Sequence, residues 1–74
     1  MTRLPGLKPR VVVRALERAG FTIVRVKGSH YQLYNASTGR RVTVPYHQTD
    51  LSRGTLSAII QQSGLTADEF LKLT

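Results

Sequence analysis

The hydrophobic period changes twice along the chain. Between Pro9 and Gly20 the apolar residues Val12, Leu16 and Ala19 recur at i, i+4 and i+7, the spacing of one helix face. Proline suits the first helical position and glycine the stop, so a helix is predicted from about Lys8 to Gly20. From residue 21 to 45 β-branched and aromatic residues take over, broken by turn signals at Gly28 and at residues 36–39, and the period falls to two. Strands are predicted at residues 22–27, 29–35 and 40–45. Alternation puts Val24, Val26, Tyr31, Leu33, Val42 and Val44 on one face. It sends Arg25, Lys27, His30, Gln32, Tyr34, Arg41 and Thr43 to the other, with Ile23 as an apolar exception among them. After a polar link holding His47, Gln48 and Thr49, Leu56, Ile59 and Ile60 form a second helical stripe from about residue 51 or 52 to Ser63, with Gly64 as its stop. The tail TADEFLKL opens on the capping-box pair Thr66 and Glu69 and reads as a short third helix that packs Phe70 and Leu73.

The resulting order is αβββα with a trailing helix: a two-layer α+β fold in which a three-stranded antiparallel sheet carries its helices on one face. Double-stranded-RNA-binding domains share that order, although order alone does not determine activity. No repeat, linker or low-complexity segment interrupts the pattern, so a single domain over residues 1–74 is expected. A chain of this size buries only about 60% of its unfolded surface, which leaves little room for a deep cavity.

Charge adds what the pattern does not contain. Lys and Arg number 11 against 4 Asp and Glu, a formal net charge of +7, and such a surface repels itself unless a polyanion is near. Most of these cations are arginines, whose guanidinium fork matches phosphate oxygens in pairs. Arg10, Arg14 and Arg18 make a basic stripe on the first helix with Glu17 as its acidic neighbour; the plain reading of such a stripe is a solvated face. Gly54, beside Arg53 in the first turn of the second helix, lets a phosphate or another backbone approach the helix end, or is simply a tolerated early glycine. With no cysteine, neither a disulfide framework nor a thiolate zinc site is available. The segment MTRLPGLKPR has no apolar core of a signal peptide, and nothing approaches the roughly 20 apolar residues of a membrane span. A cytoplasmic protein with no membrane partner and no small-molecule cofactor is expected.

Elimination narrows the chemistry. A metal centre would have to draw on His30, His47 and Asp50 from separate strands and loops, so no metal site is assigned. Paired carboxylates are missing from the predicted sheet, which argues against glycosidase-like catalysis. Ser29 and His30 are neighbours on a strand and point to opposite faces, so they do not form a nucleophile and base. The Asn35-Ala36-Ser37 triplet reads as turn chemistry. What remains is a substrate that brings its own nucleophile. The 2′-hydroxyl of RNA attacks the adjacent phosphate once a base removes its proton, and an imidazole, which titrates near pH 6.5 when unperturbed, is suited to that task. Arg25, Lys27 and Arg41 on the same predicted face would supply the electrostatic clamp.

In order and spacing, LPGLKPRVVVRALERAGF, KGSHY, VTVPYH and GTLSAIIQQSGLTADEFL resemble the HicA family of toxin endoribonucleases from bacterial toxin-antitoxin pairs. The resemblance implies a double-stranded-RNA-binding-like fold, metal-independent cleavage of messenger RNA and neutralisation by a HicB-type antitoxin. The family's catalytic histidine falls on His30, Gly28 and Ser29 match the turn that presents it, and Val44, Pro45 and His47 match the second segment. His47 is then either a second acid or base or a group that orients RNA. Tyr46 between Pro45 and His47, and Gln48-Thr49 in place of a more basic link, depart from the family pattern. The full reading is a ribonuclease that holds RNA phosphates with Lys8, Arg10, Arg14, Arg25, Lys27, Arg40, Arg41 and Arg53, offers Tyr34 as a stacking platform and moves protons with His30. The alternative is a non-catalytic RNA-binding module on the same fold, and a third is a domain whose basic surface docks an acidic protein.

Overall fold

The computed structural model describes residues 3–74. Its elements run α1 (Pro9–Arg18), β1 (Thr22–Lys27), β2 (His30–Asn35), β3 (Arg40–Pro45), α2 (Arg53–Ser63) and α3 (Ala67–Leu71). The three strands form one antiparallel sheet in the order β1-β2-β3. Buried Leu33, Val42 and Val44 supply the sheet side of the core, Val12 and Leu16 the α1 side, Leu56, Ile59 and Ile60 the α2 side, and Phe70 closes it from α3. The expected αβββα order with a short C-terminal helix is the observed one.

Local chemistry explains where the helices stop. After α1 the N–H of Gly20 donates to the Glu17 carbonyl and that of Phe21 to the Leu16 carbonyl, each at 3.0 Å, a Schellman arrangement in which Gly20 takes φ +103°. Phe21 and Leu16, the hydrophobic pair that accompanies such a cap, are both buried. α2 is capped by Ser52, whose hydroxyl accepts from the Thr55 N–H at 3.2 Å. At α3 the reciprocal box forms: Thr66 N–H donates to Glu69 Oε1 at 2.8 Å and Glu69 N–H donates to Thr66 Oγ1 at 3.1 Å. The bond from the Thr66 backbone, with a further contribution from its side chain, holds the Glu69 carboxyl below the usual carboxylate range.

One strand departs from the alternation read in the sequence. The β1–β2 register steps from Ile23 opposite Leu33 to Arg25 opposite Gln32, so Val24 is the extra residue of a bulge. Ile23 consequently packs against the core, while Val24 and Val26 are 50% and 53% exposed. Val24 is displaced by the bulge itself. Val26 shares a face with its partner Tyr31, but it lies on an edge strand, and the Tyr31 ring stacks on Tyr46. Beyond the bulge the pairing still sets Arg25 against Gln32 and Lys27 against His30, so the basic face survives.

Asn35, read from the sequence as part of a turn, is also buried. Its Nδ2 donates to the Ala19 carbonyl at 3.4 Å and its Oδ1 accepts from the Ser37 N–H at 3.0 Å. The second bond is an Asx-type turn, and the first ties the end of β2 to the end of α1.

Candidate functional site

The turn between β1 and β2 contains only Gly28 and Ser29, since Lys27 pairs directly with His30. Gly28 takes φ +57° and no other residue type has positive φ among the described residues, the pattern of a II′ hairpin whose first central position favours glycine. The turn carries His30 up to the end of the sheet with an exposed side chain. Its backbone is held on both sides: Lys27 is its partner on β1 and Pro45 on β3. One step further the Tyr46 N–H donates to the Ser29 carbonyl at 2.5 Å, which prolongs the ladder past His30. Adjacent rows of the same helix-free face are Arg25, Gln32 and Thr43, then Tyr34 and Arg41. The Arg41 Cζ lies 4.9 Å from the centre of the Tyr34 ring, a cation–π contact that covers part of one ring face.

The cations read from the sequence divide into two groups. Lys8 Nζ donates to the Gln48 carbonyl at 3.1 Å and sits 3.4 Å from Asp50 Oδ1. Arg40 donates to the Gln62 carbonyl at 3.4 Å and lies over Gly64 at the end of α2, where a cation suits the helix dipole. Arg18, the last member of the α1 stripe, donates to the Leu73 carbonyl at 2.6 Å and holds the C-terminal segment. Arg10, Arg14, Arg25, Lys27 and Arg53, by contrast, have exposed side chains that make no hydrogen bond or ion pair among the described residues. A Cβ at Gly54 would meet nothing within 4 Å, so no neighbouring part of the fold requires the glycine beside Arg53.

His47 belongs to different surroundings from His30. With Nδ1 3.3 Å from Thr49 Oγ1, it lines a cleft of about 390 Å³ together with Lys8, Arg10, Tyr46 and Gln48 at the start of α1. A larger groove of about 570 Å³ adjoins it, sharing Arg10 and Tyr46 and bounded further by Arg14, Glu17, Ile23 and Tyr31. There the rings of Tyr31 and Tyr46 stack with centroids 4.2 Å apart and planes at 18°. Sequence reading assigned Tyr31 to the core and overlooked the pair. Its trace was present, because Tyr31 opposes Val44 and Tyr46 stands two residues beyond, on the same face and within diagonal reach.

Among the described residues no three of His, Asp or Glu gather where they could hold a metal ion, and no helix is long and apolar enough to cross a membrane.

A family model described as the HicA toxin of bacterial toxin-antitoxin matches residues 9–65. The chain belongs to the HicA toxin family. The match takes in α1, the whole sheet and α2, and with them His30, His47 and every residue that lines the larger groove. Lys8 and the capped α3 lie outside it. As a HicA-family toxin the protein is one half of a toxin-antitoxin pair, and its partner is an antitoxin. A comparison with curated proteins finds no match.

Proposed function

We propose that the protein is a metal-independent endoribonuclease that cleaves messenger RNA, with His30 as the proton-transfer group, and that a HicB-type antitoxin neutralises it. The observation that carries this reading is the placement of His30: an exposed imidazole on the helix-free face, backbone-paired on both sides, with Lys27 beside it and Arg25 one row away. In the reaction His30 takes the proton of a ribose 2′-hydroxyl. The freed oxygen attacks the adjacent phosphorus, the bond to the 5′ oxygen breaks, and the leaving oxygen takes its proton from water. The products are a 2′,3′-cyclic phosphate and a 5′-hydroxyl end. Arg25 and Lys27 stabilise the charge that builds on the phosphorane oxygens.

A general base needs no metal in this scheme. His47, beside Lys8 and Arg10 at the start of α1, is assigned to holding RNA rather than to moving protons. Arg10, Arg14, Arg25, Lys27, Arg41 and Arg53 contribute to phosphate binding, while Lys8 and Arg40 divide their charge between RNA and the fold.

Incubation with a long RNA in excess chelator tests the reading. Wild type is expected to give fragments with cyclic phosphate ends, and His30→Ala to bind the RNA without cutting it. Salt-sensitive binding with intact RNA for both proteins would instead make this an RNA-binding module.

A further inference from the structure

We propose that the groove between α1 and the sheet is a subsite for one unpaired guanine base of the RNA, with Tyr31 and Tyr46 as its stacking wall, Arg10 and Arg14 on the flanking phosphates and Glu17 reading the base edge. The proposal rests on the ribonuclease reading above and deepens it by naming a base of the RNA that the protein holds on the helix side of the sheet, opposite the face that carries His30.

Three observations converge on it. First, the volume of about 570 Å³ falls inside the roughly 300–1,000 Å³ range of small-ligand sites, enough for a nucleotide and small for a protein segment. Second, the wall is already organised. The two tyrosine rings are stacked and only partly buried, and neither hydroxyl has a hydrogen-bond partner among the described residues. A base laid on the open ring surface meets a rigid aromatic plane, the platform on which single-stranded RNA is usually held. Tyr34, the platform suggested by the sequence, already has Arg41 over its ring.

Third, the rim is selective. Arg10, Arg14 and Glu17 follow at i, i+4 and i+7 along α1 and all line the groove. Neither the arginines nor the carboxylate is neutralised by an ion pair among the described residues. Two guanidinium groups suit phosphate oxygens. A carboxylate repels phosphate and accepts hydrogen bonds only, so its place in a phosphate-binding groove makes sense against a base edge that donates. Guanine presents the adjacent N1–H and N2–H2 donors, which match both carboxylate oxygens. Adenine and cytosine offer one amino group and uracil a single ring N–H.

The test uses the wild-type protein with short 2′-O-methyl oligoribonucleotides, in which the attacking hydroxyl is blocked and no cleavage occurs. Tracts of uridine carry one central guanosine, adenosine or abasic residue. Because the chain has Tyr 3 and Trp 0, its intrinsic emission comes from tyrosine and reports a base stacked on the ring. The guanosine tract is expected to bind about tenfold tighter than the abasic one and to quench the emission. Tyr46→Leu should remove both effects, and Glu17→Gln should bring guanosine down to adenosine while the quenching stays. Should Tyr46→Leu fail to fold, the comparison of tracts on wild type decides alone. Equal affinity for guanosine and abasic tracts with unchanged emission would overturn the subsite and leave the ribonuclease reading intact. A guanosine preference unaltered by Glu17→Gln would overturn the role of that carboxylate. Failure of every tract to bind would overturn both.

Discussion

His30 combines a fixed backbone with a free side chain, and the two have separable consequences. The ladder with Lys27 and Pro45 and the glycine turn before it set where the imidazole stands; nothing in the core depends on the ring, which is exposed. His30→Ala should therefore lower cleavage by about 10²- to 10⁴-fold, the usual contribution of a proton shuttle. It should change unfolding stability by no more than about 0.5 kcal/mol. Single-turnover cleavage and thermal unfolding of the same preparation check both halves, and a large loss of stability would assign His30 a structural role. Leu33 is the contrasting neighbour on β2, fully buried in the hydrophobic core. Leu33→Ala should cost about 2–5 kcal/mol, readable as a shift in the denaturant midpoint. That His30 faces away from the core was legible from alternation, because β2 keeps a strict period of two from Tyr31 to Leu33 and on to Asn35. That the Asn35 amide ties β2 to α1 was not, because only the return of α1 places the Ala19 carbonyl where the amide can reach it.

At the scale of elements, β1 and α3 respond to different physics. The bulge at Val24 turns Ile23 inward and leaves Val24 half exposed, while Val26 is half exposed on the edge strand. Val24→Thr and Val26→Thr should then each change stability by about 0.5 kcal/mol or less, whereas an uninterrupted alternation would make both core substitutions. Urea titration distinguishes the two. α3 is held by its cap and by Phe70, and the cap carries a proton linkage. The Glu69 carboxyl is held below its ordinary range by the Thr66 backbone N–H, so the unfolded chain takes up a proton at higher pH than the folded one. The contribution is present above the unfolded carboxylate range, about pH 4.3, and is lost as pH falls through the lower folded value. Wild type should thus be more stable than Glu69→Gln near neutrality, with the gap closing in acid. Melting curves for the pair across that range read the effect, and a gap that is independent of pH would remove the linkage.

For the molecule as a whole, the +7 charge and its partition decide how it meets a polyanion. Arg18, Arg40 and Lys8 spend part of their charge on carbonyls and on Asp50 within the fold. Arg10, Arg14, Arg25, Lys27 and Arg53 remain exposed and unpaired among the described residues, on α1, on β1 and at the start of α2. RNA affinity should fall steeply and linearly on a log–log plot against salt. Arg14→Ala should reduce the steepness by about 0.7, the value for one single-strand phosphate contact, and Arg18→Ala should leave it nearly unchanged. Filter binding at several salt concentrations gives both slopes; equal losses for the two variants would mean that charge acts only in bulk.

The residues by themselves determined the element order, the helix stops, the capping box of α3 and the sheet face that carries His30. These depend on local rules: glycine at left-handed positions, side-chain caps within a turn, and a period that is either 3.6 or 2. Tertiary structure alone decided the rest. A bulge is a property of two strands in register, and an edge position is a property of the whole sheet, so a single strand's pattern assigned Val24 and Val26 to the core. The division of cations into tied and free depends on carbonyls distant in the chain, Leu73 for Arg18 and Gln62 for Arg40. The groove with its stacked tyrosines exists only where α1 crosses the end of the sheet, bringing Arg10, Arg14 and Glu17 opposite Tyr31 and Tyr46. Each of these depends on distances between residues far apart in sequence, and those distances are set by packing rather than by periodicity.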